Sequence, residues 1–175
     1  MKSMKKVLTG LVVVATLFVA VGAGYAQQLD ERTQQALIDA ITDEYKAKAT
    51  YQKVIDTFGE IRPFTNIIKA EQQHIEFLLP LFKKYGVEAP KDEWADKIPD
   101  FASVKDACET GVQAEIENAK MYDEFFSFVQ EQDILDVFTH LRDASQEKHL
   151  PAFQRCADRE GSTTGQGRGR GGNRN

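Results

Sequence analysis

The chain has 175 residues, 42% of them hydrophobic and 28% charged, enough to bury a core and short enough for one domain with appendages. Two cysteines exclude a disulfide scaffold and a four-cysteine metal site, and no glycine-rich phosphate loop supports nucleotide binding. The net charge of −5 is uneven: without the three lysines of residues 1–26 and the three arginines of residues 161–175, the middle holds 16 basic and 27 acidic residues, a poor ligand for nucleic acid and a fit one for cations.

Residues 1–26 read as a secretory signal: Lys2, Lys5 and Lys6, then an apolar run from Val7 to Val21, then Gly24-Tyr25-Ala26. The run is about 15 residues, short of the ~20 that span a bilayer. Cleavage leaves no stable membrane span, and the mature protein is expected outside the cytoplasm, periplasmic or secreted, where disulfides persist.

Residues 27–160 carry four stretches of helical periodicity: Asp30 to Phe58, Arg62 to Gly86, Ser103 to Gln130 and Gln132 to Glu160, with a proline-containing connection at 87–100. No segment alternates with period two. The expected fold is all-α: a four-helix bundle of two helical hairpins joined by a crossover connection. Residues 161–175, rich in Gly and Arg without an apolar side chain, are expected to form a disordered tail.

Each helix has one inward stripe with polar residues near its middle. The first reads Leu37, Ile41, Glu44, Ala47, Tyr51, Val54, Phe58, and the second Phe64, Ile67, Glu71, His74, Leu78, Phe82. The third reads Cys108, Val112, Glu115, Ala119, Tyr122, Phe126, Val129, and the fourth Phe138, Leu141, Ser145, His149, Ala152, Cys156, with Gln146 flanking His149. Burying an ionised carboxylate costs several kcal/mol, whereas a whole domain is stable by about 5–15 kcal/mol. Three glutamates at one level of a core therefore call for cations. The alternatives are pairing with Lys48 and Lys120, which flank the stripes, or burial as protonated acids.

The halves also repeat. Glu44-x6-Tyr51 matches Glu115-x6-Tyr122, and Glu71-x-x-His74 matches Gln146-x-x-His149. On these residues the chain resembles the ferritin-like superfamily, specifically rubrerythrin-like and exported ferritin-like proteins. The resemblance implies a buried two-metal site, usually iron, reacting with oxygen or peroxide. Its metal ligands would be Glu44, Glu71, His74, Glu115, Gln146 and His149, with Glu71 and Glu115 as bridges. Gln146 stands where a symmetric member has Glu, which weakens one metal position.

Oxygen-rich ligation with two imidazoles suits Fe, alternatively Mn, better than Cu(I) or structural Zn. Tyr51 and Tyr122 are candidate catalytic residues, as redox relays or as hydrogen-bond donors to a bridging carboxylate; core packing accounts for them equally well. Cys108 and Cys156 lie level on the third and fourth stripes, each two turns from its ligand candidate, so a disulfide is expected, with two buried free thiols as the alternative. The functional expectation is Fe(II) oxidation or peroxide reduction. A non-enzymatic metal-binding or storage protein and a metal-free structural bundle remain as alternatives, and oligomeric state stays open, a homo-oligomer included.

Overall fold

The computed structural model describes residues 28–165. The expected signal segment and residues 166–175 lie outside the described residues. Helix α1 (Glu31–Phe58) starts where Asp30 Oδ1 accepts the amides of Arg32 and Thr33 at 2.9 and 3.0 Å, satisfying two otherwise unpaired N–H groups. It stops at Gly59, whose φ of 89° only glycine adopts readily. Helix α2 (Phe64–Tyr85) ends the same way at Gly86, φ 67°. After the connection, Ser103 Oγ accepts the Asp106 amide at 3.1 Å and caps α3 (Val104–Phe125).

The fourth rod is composite: α4 (Gln132–Ala144), a π-helical turn (Ser145–His149) and α5 (Leu150–Gly165). Pro151 has no N–H for the Glu147 carbonyl, and the Leu150 amide reaches back five residues to the Ser145 carbonyl. The ladder absorbs one extra residue there and resumes. Among the described residues there is no strand, and no helix is long and apolar enough to cross a membrane.

Two expectations need correction. Helix α3 ends at Phe125 rather than near Gln130, because the amides of Ser127 and Phe128 tighten into i→i−3 bonds to Glu124 and Phe125. Phe125, three residues after Tyr122 on the same helix face, is buried in place of the expected Phe126. At the other end, α5 runs on to Gly165, so residues 161–165, expected in the tail, are helical.

Helices α1 and α2 pack as one hairpin, and α3 packs along the fourth rod as the other. The apolar interior falls into two clusters. One holds Leu37, Ile41, Leu78, Phe82, Phe138 and Leu141; the other holds Val54, Phe64, Ala107, Phe153 and the Cys108–Cys156 disulfide, which ties α3 to α5. A polar layer lies between them.

Phe153, absent from the sequence-derived stripe, packs on Tyr51 and Phe64 at centroid distances of 5.2 and 5.3 Å. Its ring lies where a Cβ on Gly111 would come within 2.7 Å of it. Gly111→Ala is therefore expected to destabilise by about 1–3 kcal/mol despite alanine's better helix propensity, because a fully buried ring has no room to move. Urea unfolding checks this; a more stable alanine variant would show that α5 can shift outward.

Candidate metal centre

The polar layer is built from five side chains, all buried: Glu44 on α1, Glu71 and His74 on α2, Glu115 on α3 and His149 at the end of the π turn. Both histidines turn Nδ1 towards carboxylates. His74 Nδ1 is 3.1 Å from Glu44 Oε2 and 2.9 Å from Glu71 Oε2. His149 Nδ1 is 3.3 Å from Glu71 Oε1 and 3.6 Å from Glu115 Oε2. The imidazoles stack at 5.6 Å with 24° between planes.

Glu44, Glu71 and His74 form one group able to hold a metal ion, and Glu71, Glu115 and His149 a second, the donor atoms in each lying within 4.8 Å of one another. Glu71 belongs to both, one oxygen turned to each histidine. Glu115 belongs to one group only, so of the two bridges expected from the sequence only Glu71 spans the groups in this geometry.

Each tyrosine reaches across to the other long helix. Tyr51 on α1 donates its hydroxyl to Glu115 Oε1 at 2.8 Å, and Tyr122 on α3 donates to Glu44 Oε1 at 3.1 Å. Burial, and then the charges of Glu115 and Glu44 respectively, push both phenols well above their usual pKa. They remain donors at physiological pH and fix the outer oxygens of the flanking carboxylates.

Gln146 does not join the site. It is exposed, as is Glu147. The π turn is the reason: with an extra residue in the turn, the side chain standing over His149 is the one four positions before it, Ser145, which is 3% exposed. The internal repeat suggested Gln146; the stripe, which ran through Ser145, indicated the buried residue.

Ser145 Oγ donates to Asn118 Oδ1 at 2.7 Å, and Asn118 Nδ2 donates to Asp43 Oδ2 at 2.7 Å. Asn118, one turn after Glu115, can be read from the sequence as a carbonyl ligand, and here its carbonyl oxygen is taken by Ser145; Asp43, one residue before Glu44, is not singled out by the stripes, because only packing distinguishes wall from surface there. The alternative lysine partners stay outside, Lys120 exposed and Lys48 held by Asp92 at 3.5 Å.

A cleft of about 260 Å³ between α1 and α3 leads from the surface to this layer, its wall including Asp43, Glu44, Glu71, Glu115, Asn118 and Ser145. Neither histidine lines it. The carboxylate side of the layer is the accessible one.

The donor set fits divalent Fe or Mn, being rich in oxygen with two imidazoles. One atom presses the point. His149 Nδ1 is buried and, among the described residues, has no aligned hydrogen-bond partner. Such an orphan is rare in native interiors, and a metal ion satisfies it.

Without metal the layer neutralises itself with protons. Burial pushes the Glu44 carboxyl up to about 8. Burial would also raise Glu71, but the facing imidazoles of His149 and His74 hold it down at about 2. Burial opposes charge on both imidazoles, yet the facing carboxylates raise His74 to about 9 and His149 to about 10.

The histidine contribution to stability is complete below the unfolded value of 6.5 and lost as pH rises through 9 and 10. The Glu44 contribution is complete below 4.5 and lost through about 8, whereas that of Glu71 is present above 4.5 and lost as pH falls through 2. Metal-free protein should therefore melt at falling temperatures from pH 6.5 to 10. Metal binding at pH 7 should expel the protons of His74, His149 and Glu44 and tighten as pH rises. Calorimetric titration in buffers of different ionisation enthalpy measures that release; zero release would contradict the site.

A family model described as "Uncharacterized protein domain (DUF2202)" matches residues 33–166. The chain belongs to this family. The matched stretch contains every residue of the polar layer and both cysteines. Among solved structures, the chain is similar to a hypothetical protein, MJ0754, from Methanococcus jannaschii DSM 2661, with TM-score 0.70 and 23% identity over 77% of this chain and 85% of that one. That likeness supports the helical fold of the DUF2202 chain and nothing beyond the fold. No curated protein matches it.

Proposed function

We propose that this DUF2202 chain is an exported, ferritin-like metalloprotein that holds two ions of iron, alternatively manganese, and uses them to oxidise Fe(II) or reduce peroxide. The observation that carries the reading is Glu71, one buried carboxylate whose two oxygens each serve a separate carboxylate–histidine group. Bound there, a pair of such ions supplies one-electron steps at adjacent positions. The chain's own part is to place and insulate them. Glu71 sets the spacing, Glu44 and Glu115 flank it, and His74 and His149 close the side away from the cleft.

Tyr51 and Tyr122 act in this reading as positioning residues, each orienting a flanking carboxylate through its phenolic proton. Apolar clusters on both sides keep water out, so access runs along the cleft between α1 and α3. The signal-like residues 1–26 and the Cys108–Cys156 bond support export.

The test is anaerobic loading of the mature protein with Fe(II), elemental analysis, then oxygen or peroxide. Two ions per chain with turnover is the expected outcome. Two ions without turnover would make it a storage or binding protein. One observation favours a metal-free bundle as the second reading: Glu44, Glu71 and His74 already pair with one another at 2.9–3.1 Å. Protein that takes up no metal after loading would establish it.

A further inference from the structure

The polar layer is nearly two-fold symmetric. Glu44 with Tyr122 answers Glu115 with Tyr51, and His74 answers His149. Glu71 has no counterpart. The position answering it belongs to Ser145, because the π turn carries Gln146 outward. Ser145 is too short to reach the metal groups as a carboxylate would, and its hydroxyl proton is committed to Asn118.

Glu71, Ser145 and Asn118 all line the α1–α3 cleft, whose volume of about 260 Å³ has room for several waters at about 30 Å³ each. Two divalent ions against three carboxylates and two neutral imidazoles leave one positive charge inside the bundle, and a buried charge needs a partner. Asp43 does not supply the missing group: it lies outside both metal-holding groups, with Oδ2 held by Asn118.

We propose that the metal-loaded centre takes a small bidentate monoanion of the carboxylate class from solution, seated opposite Glu71 against the Ser145–Asn118 pair and reached through the cleft between α1 and α3. The inference rests on the two-metal reading above. It makes the π turn the device that exchanges a protein ligand for an exchangeable one, consistent with the tendency of such turns to mark functional positions.

The test uses the mature chain loaded with Co(II), whose visible absorption reports coordination, with acetate as the probe and elemental analysis to count ions. The expected result is two cobalt ions per chain and a saturable spectral change at one acetate per pair. Ser145→Glu should keep both ions and lose the acetate response, because the chain then fills the place itself. Gln146→Glu should keep the response, since that side chain faces solvent. Asn118→Leu, which narrows the same place without adding a charge, should retain both ions and weaken acetate binding, and it serves if Ser145→Glu does not fold.

Two cobalt ions with no acetate response in the wild type would overturn the inference while leaving the metal centre intact. A response confined to Asp43→Asn would give the place to Asp43 and overturn it as well. Failure to bind cobalt at all would overturn the metal centre, and this inference with it.

Discussion

Glu71→Gln is expected to lose both metal ions, whereas His74→Ala and His149→Ala should each lose one. Glu71 is the single residue common to the two groups, so removing its charge strips a ligand from both at once. Each histidine serves one group and leaves the other three-residue set complete. Changes one shell further out typically cost 10–100-fold in metal affinity, so loss of the shared carboxylate should exceed about 100-fold at both positions. In metal-free protein the two imidazoles would respond by releasing protons rather than staying charged without a partner, so the variant should fold. Elemental analysis after loading with Fe(II) or Mn(II), with circular dichroism to establish folding, gives the answer. Two ions retained in Glu71→Gln, or both lost in His149→Ala, would mean that the groups do not share Glu71 as described.

Removing the disulfide should produce the largest loss of stability. Cys108 and Cys156 are fully buried, separated by 48 positions, and join α3 to α5 within the cluster that holds Phe153. On the chain-entropy model a loop of that length stabilises by about 4 kcal/mol. For a chain of this size the Cys108→Ala/Cys156→Ala protein should melt on the order of 10 °C lower. The loss should be local before it is global. Helix α5 follows the π turn and Pro151, where the backbone ladder is interrupted, so its amides should exchange faster while those of α1 hold. Thiol titration of denatured, unreduced protein should find no free thiol. Two titratable thiols, or an unchanged melting temperature in the double variant, would remove the bridge from the account.

Much of the bundle is legible residue by residue. Asp30 and Ser103 are N-capping side chains directly before helical periodicity, and Gly59 and Gly86 follow its end, so local chemistry sets these boundaries. The stripe of α2 is buried at every position read from it. The errors have a common origin in phase. Steps of three and of four both keep a helix face, and the structure takes Phe125 rather than Phe126 after Tyr122 and Phe153 rather than Ala152 after His149, while the expanded turn at Ser145–His149 rotates the face of the fourth rod. The same rotation replaces Gln146 with Ser145.

The chemistry of the centre was set by composition along the stripes. Glu44, Glu71, His74, Glu115 and His149 fall at helical spacing among apolar neighbours, and that alone places three acids and two imidazoles inside a core. Folding decided how they divide. That Glu71 alone spans both groups, that Tyr51 serves Glu115 and Tyr122 serves Glu44, and that the carboxylate side opens between α1 and α3 depend on the register of one rod against another. Periodicity fixes the direction of a side chain on its own helix. Which oxygen faces which nitrogen across the bundle is fixed by packing, and a single extra residue in the fourth rod is enough to set Ser145 rather than Gln146 beside His149.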